Sequence, residues 1–193
     1  HFELGDPDFD TPKLISEAGI KSIQDGNTHY VNSRGDLNFI KGIQKTTQIS
    51  RGFFPSSKQI TVTTGANAGI FYTLKSICDS GDEILLPNPY FPTYLAACQI
   101  VGITPKFYSL KSSNNFIPNI KDIESSINTK TKAILINSPS NPTGAVFNRE
   151  TIKAIYDLAY KNDLYVISDE VYARMIYENN IIFTSPGFFD SCR

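Results

Sequence analysis

Hydrophobic positions change their spacing at about residue 58. Before it, apolar residues recur at helical intervals among polar ones; after it, short apolar runs alternate with helical periods. Thr11 and Pro12 predict a helix start, because threonine can cap free amides and proline suits the first helical turn. That helix is expected to run to about Asp25, where Gly26 stops it and Asn27-Thr28-His29-Tyr30 continues as a polar loop. A second amphipathic helix is predicted from near Asp36, with Phe39, Ile40 and Ile43 as its apolar side, ending before Gly52. Beyond residue 58, β-branched residues predict a strand over 60–64. The following helix places Ile70, Leu74, Ile77 and Cys78 on one face, the spacing needed to cover a sheet. Strands over 83–86 and about 106–110, with helices around 94–101 and 120–127, continue the alternation.

The runs 133–136 and 164–167 are uniformly apolar, as expected for strands covered on two faces. Between them Ile152, Ile155, Tyr156 and Ala159 give a crossover helix its buried stripe. This order implies an α/β fold, a mostly parallel sheet with helices on both faces. Residues 1–50 form a helical portion ahead of it, and 51–193 contain the sheet. Neither end has the look of a natural terminus: there is no initiator methionine, and the expected loop over 185–193 carries apolar residues suited to packing against more chain.

Composition narrows the partners. A net charge of -1 with scattered Lys and Arg gives no long-range attraction for nucleic acid or an acidic membrane. Cys78, Cys98 and Cys192 are odd in number and fit no metal-ligand spacing, so a reducing, cytoplasmic setting is expected rather than a disulfide framework. With only His1 and His29, no histidine-built metal site is expected. No run is long enough to cross a membrane. The expected partner is a small molecule.

In parallel α/β sheets ligands bind beyond the carboxyl ends of the strands, and three such ends carry unusual residues. At the first, Thr64-Gly65-Ala66-Asn67 leads straight into a helix. Gly65 and Ala66 let an anion approach the backbone, and the helix's first amides point outward with a favourable dipole. A tight turn satisfied by glycine alone is the simpler reading. At the second, Asn141-Pro142-Thr143-Gly144 aims an amide from a restricted turn, although the tetrapeptide by itself is only a good turn. At the third, Ser168-Asp169-Glu170-Val171-Tyr172 ends a buried strand with a carboxylate. Asp169 can accept a hydrogen bond from a pyridinium nitrogen and keep that nitrogen protonated, or it can cap the next turn. Tyr172 can hydrogen-bond a phenolate oxygen of the same ring, and Phe91 can lay its ring against a flat cofactor. Together the three ends read as a pyridoxal-phosphate site.

These strings, with Leu4-Gly5-Asp6-Pro7-Asp8-Phe9, Thr28-His29-Tyr30, Gly81-Asp82-Glu83, Pro89-Tyr90-Phe91-Pro92-Thr93-Tyr94 and Ser138-Pro139-Ser140 ahead of Asn141, resemble class I/II aminotransferases of fold type I. The bacterial-type aspartate aminotransferase subgroup is the nearest match. The resemblance implies the first part of a pyridoxal-phosphate-binding large domain, preceded by an N-terminal arm and small-domain portion. It implies that Gly65, Ala66 and Asn67 bind the cofactor phosphate, Phe91 stacks on the pyridine ring, Asn141 and Tyr172 bond its phenolate oxygen, and Asp169 partners its nitrogen. Gly5 would contact the substrate carboxylate, and Tyr30 would reach the cofactor of a neighbouring subunit in a homodimer. Asp169 and Tyr172 are the implied catalytic residues. The lysine that bonds the cofactor aldehyde is expected after Arg193, so an aminotransferase fragment inactive on its own is expected. Amino-group transfer from an amino acid to a 2-oxo acid is the implied reaction. A lyase or cyclopropane-forming synthase of the same fold would use the same residues, and an aminotransferase-like effector domain of a transcription regulator is the alternative from a different class.

Overall fold

A computed structural model of the chain describes residues 5–177 and 181–190; Leu4 and Cys192 lie outside them. Four strands, β1 (Glu83–Asn88), β2 (Thr104–Ser109), β3 (Thr131–Asn137) and β4 (Tyr165–Asp169), form a parallel sheet in the order β2-β1-β3-β4. Parallel neighbours need crossovers. Helices α4 (Thr93–Val101), α5 (Ile120–Ser126) and α6 (Arg149–Lys161) supply them, and α3 (Ala66–Ile77) leads into β1. The helices α1 (Lys13–Gln24) and α2 (Leu37–Arg51) precede the sheet, and the short α7 (Gly187–Asp190) follows it.

Side-chain alternation along the strands divides the core in two. Ile84, Leu86, Ala133, Leu135 and Ile167 pack with Ile70 and Leu74 of α3 and Ala97, Cys98 and Val101 of α4. Their neighbours Leu85, Ile134 and Ile136 pack on the opposite face with Ile123 of α5 and Ile152, Ile155, Leu158 and Ala159 of α6. Fully burying each Ile or Leu contributes about 1.5–3 kcal/mol, so both faces hold the strand ends in place.

Four expectations are corrected. Residues 60–64 do not join the sheet; Ile60 is extended, with φ −115° and ψ 131°, and the Val62 N–H donates to the Arg34 carbonyl at 2.9 Å. β-branching favours an extended backbone, but a ladder also needs a partner. Covering on both faces is complete for β3 but partial for β4, where Val166 and Ile167 pack into the cores on opposite faces while Tyr165 is 55% exposed. Thr11 does not cap α1: Pro12 occupies the N-cap and no side chain bonds there. The expected loop near the end contains the helical turn α7. The helix over 37–51 starts as predicted, with Asp36 accepting the N–H groups of Asn38 and Phe39, and ends at Gly52 in the left-handed region; Ile40 is buried while Phe39 stays exposed. No helix among the described residues is long and apolar enough to cross a membrane.

Candidate active site

Asp169 is the last residue of β4 and is half-buried. Its Oδ2 accepts the Tyr94 hydroxyl at 2.7 Å, and its Oδ1 accepts the Val171 N–H at 3.1 Å. The chain then turns, the Ala173 N–H donating to the Glu170 carbonyl at 3.0 Å. This turn brings the Tyr172 hydroxyl to 3.5 Å from the Asn141 amide nitrogen, the outer limit of a hydrogen bond. An amide and a phenol therefore flank one point beyond the strand ends.

Asn141 is held there by Asn137, which closes β3 and is 3% exposed. The Asn137 Nδ2 donates to the carbonyls of Pro139 and Asp169, each at 3.2 Å, while its Oδ1 accepts the Asn141 N–H at 2.7 Å. One side chain thus joins the ends of β3 and β4. Sequence reasoning missed Asn137, although an asparagine closing a uniformly apolar run was a usable signal. The loop closes with Gly144 at φ 72°, whose N–H donates to the Ser140 carbonyl at 2.8 Å.

At the start of α3, Gly65 takes φ 93° and ψ 167°, a conformation open to glycine and costly for other residues. The Thr63 hydroxyl donates to the Gly65 carbonyl at 3.0 Å and fixes the turn. No side chain caps α3, and a Cβ placed on Gly65 would meet nothing within 4 Å. The first amides of the helix have no intrahelical acceptors, so Ala66 and Asn67 begin a helix whose positive end faces open space.

The first turn of α4 joins these parts. The Thr93 hydroxyl donates to the Asn67 side-chain oxygen at 2.9 Å, and Tyr94, the next residue, reaches Asp169. Phe91 is half-buried, its ring 5.8 Å from that of Tyr94 at an interplanar angle of 72°. Tyr94 was also missed by sequence reasoning. Burial first, then the hydrogen bond to Asp169 and its charge, pushes the Tyr94 phenol far above its ordinary range. It remains a neutral donor.

Asn67, Phe91, Asn141, Asp169 and Tyr172 are therefore linked by direct contacts or through Thr93, Tyr94 and Asn137, with Gly65 and Ala66 beside Asn67. Gly5 and Tyr30 stay apart. Tyr30 is fully exposed and Gly5 is exposed, and neither makes a hydrogen bond or ring contact with this cluster among the described residues. A cavity of about 1060 Å³ lies away from the cluster. It lies beside β4, lined by Ile60, Tyr165, Ser168 and Glu170 among others. Glu170, the residue after β4, forms an ion pair with Arg51 and accepts a 2.6 Å hydrogen bond from Ser185.

A family profile described as "Aminotransferase class I and II" matches residues 1–189. The chain is 41% identical to a (5-formylfuran-3-yl)methyl phosphate transaminase of Methanocaldococcus jannaschii, over 92% of this chain and 45% of that protein. It is 36% identical to a probable aspartate/prephenate aminotransferase of Aquifex aeolicus, over 97% of this chain and 48% of that protein. Among solved structures, an aromatic aminotransferase from Pyrococcus horikoshii superposes with a TM-score of 0.94 at 34% identity, over 98% of this chain and 51% of the other. The chain spans about half the length of the relatives it matches.

Proposed function

We propose, from the premise that this chain belongs to the class I and II aminotransferases, that its protein moves an amino group from an amino acid to a 2-oxo acid using pyridoxal 5'-phosphate. The observation that carries this reading is the unbroken chain of contacts from Asn67 through Thr93 and Tyr94 to Asp169. It ties an open helix N-terminus to a strand-end carboxylate, beside which Asn141 and Tyr172 converge.

The chemistry of this donor set fits the cofactor. A carboxylate suits a protonated ring nitrogen, and an amide with a phenol suits an anionic ring oxygen. The aromatic face of Phe91 suits a flat ring, and the uncapped amides at Gly65, Ala66 and Asn67 suit a phosphate. When bound, the cofactor supplies an electron-poor ring that accepts electrons released at the α-carbon of an amino acid. Asp169 accepts the ring N–H and by its charge holds the proton on that nitrogen. Asn141 and Tyr172 donate to the ring oxygen and set the ring's rotation in its plane. Phe91 limits the tilt of the ring, and the start of α3 anchors its phosphate.

The same reading assigns Gly5 a backbone contact to the substrate carboxylate and Tyr30 a reach to the phosphate site of a second subunit in a homodimer. The full exposure of Tyr30 supports that reach. Residues 1–50 are assigned to the arm and small domain, 51–193 to the large domain, and the protein to the cytoplasm.

Asp169→Ala in the full-length protein tests the reading. Turnover between an amino acid and a 2-oxo acid is expected to fall roughly 100- to 1,000-fold, the scale of losing one preorganised electrostatic partner, while part of the cofactor stays bound. Near-normal turnover refutes the role given to Asp169, and product analysis separates amino transfer from elimination.

A further inference from the structure

We propose that Tyr94 is a positioning residue that fixes the Asp169 carboxylate for the cofactor nitrogen, with the first turn of α4 as its mount. The inference rests on the cofactor reading above and adds a residue to it. Tyr94 is 1% exposed, and its hydroxyl crosses 75 residues of sequence to donate to Asp169 Oδ2 at 2.7 Å. A hydrogen bond to an ionised acceptor is stronger and more directional than one between neutral groups. The Val171 N–H holds the other carboxylate oxygen at 3.1 Å. With both oxygens tethered, rotation of the carboxylate about its own bond is restricted, and its remaining lone pairs keep one direction.

The mount is itself constrained. The Tyr94 N–H donates to the Phe91 carbonyl at 3.1 Å, the Phe91 and Tyr94 rings meet edge to face, and the Thr93 hydroxyl bonds Asn67 at the start of α3. A single helical turn therefore holds three surfaces of the cradle in mutual register: the phosphate end through Thr93, the ring face through Phe91 and the nitrogen end through Tyr94.

A buried tyrosine outside the cluster, in the core on the opposite face of the sheet, supplies the control. Tyr108 is also 1% exposed, but its hydroxyl donates to the Leu135 carbonyl at 2.8 Å, away from the cluster. Removing either hydroxyl takes one donor from its acceptor. Only the Tyr94 change alters a group that would face the cofactor.

The test uses the full-length protein, with the dissociation constant for pyridoxal 5'-phosphate measured by equilibrium dialysis and the urea midpoint measured in parallel. Tyr94→Phe is expected to weaken cofactor binding about tenfold, the scale of one charge-assisted hydrogen bond. In an Asp169→Asn background the same substitution is expected to change binding by less than about twofold, because coupled residues are not additive. Tyr108→Phe is expected to lower the urea midpoint while leaving cofactor affinity within about twofold. Unchanged binding in Tyr94→Phe, or an equal loss with and without Asp169, overturns the proposal. A parent protein that takes up no pyridoxal phosphate overturns the cofactor reading itself, a result distinct from failure at Tyr94.

Discussion

Asn137 commits both amide hydrogens and its carbonyl oxygen to holding two loops together, and it does so inside a nearly closed environment. Truncation to alanine leaves the Asn141 N–H and two carbonyls short of partners. Asn137→Ala is expected to destabilise the full-length protein by about 1–3 kcal/mol, the cost of unsatisfied buried polar groups, read as a lower urea midpoint. It should also reduce turnover several-fold, since Asn141 loses the bond that aims it. The legibility of such residues followed the range of their interactions. Asp169, Tyr172 and Asn141 stand in short motifs after apolar strands, and the strand ends announce them. Asn137 meets Asp169 across 32 residues and Tyr94 meets it across 75, so their partners follow from strand and helix placement, which no local pattern encodes.

Among the elements, the helix start near Asp36 was legible, and the structure shows the same side-chain capping at two further helices. Asp36, Asn119 and Asn148 each accept backbone N–H groups at the starts of α2, α5 and α6. Asn148→Ala is expected to cost about 1 kcal/mol by removing the bond from the Thr151 N–H, with Asn148→Asp close to neutral; urea denaturation of both variants checks this. Strand existence was less local. The runs 83–86 and 133–136 became β1 and β3 because each has partners on both sides, whereas 60–64 has the right residues and no ladder. In β4 the apolar run includes Tyr165, which is 55% exposed, while Ile167 is buried against α3 and α4. Helix α1 shows the same dependence: Leu14, Ile15, Ile20 and Ile23 have helical spacing, yet all are exposed and none is buried within the described residues.

Over the molecule as a whole, burial sets the response to alkali. The Cys98 thiol is pushed up from 9.0 to about 11 by burial, and the Cys78 thiol and the Tyr94 and Tyr108 phenols are raised by the same cause. Each of these groups is neutral below its unfolded value and ionises more readily when the chain unfolds. Their contribution is therefore complete below about pH 9 and is lost as pH rises through the folded values. The melting temperature should fall between about pH 9 and about pH 11, and Cys98→Ala should flatten part of that slope; an unchanged slope in the variant removes Cys98 as a cause. These groups lie in the core that packs α3 and α4 on the sheet, apart from Tyr108 on the other face. By itself the sequence determined the α/β alternation, the apolar strands, the capped helices and the strand-end motifs, because periodicity, capping and turn chemistry act over a few residues. Strand order, the failure of 60–64 to pair and the joining of Tyr94 and Asn137 to Asp169 came from the packed chain. Those features depend on which surfaces meet across long stretches of sequence, where burial and the need to pair every buried polar group select the arrangement.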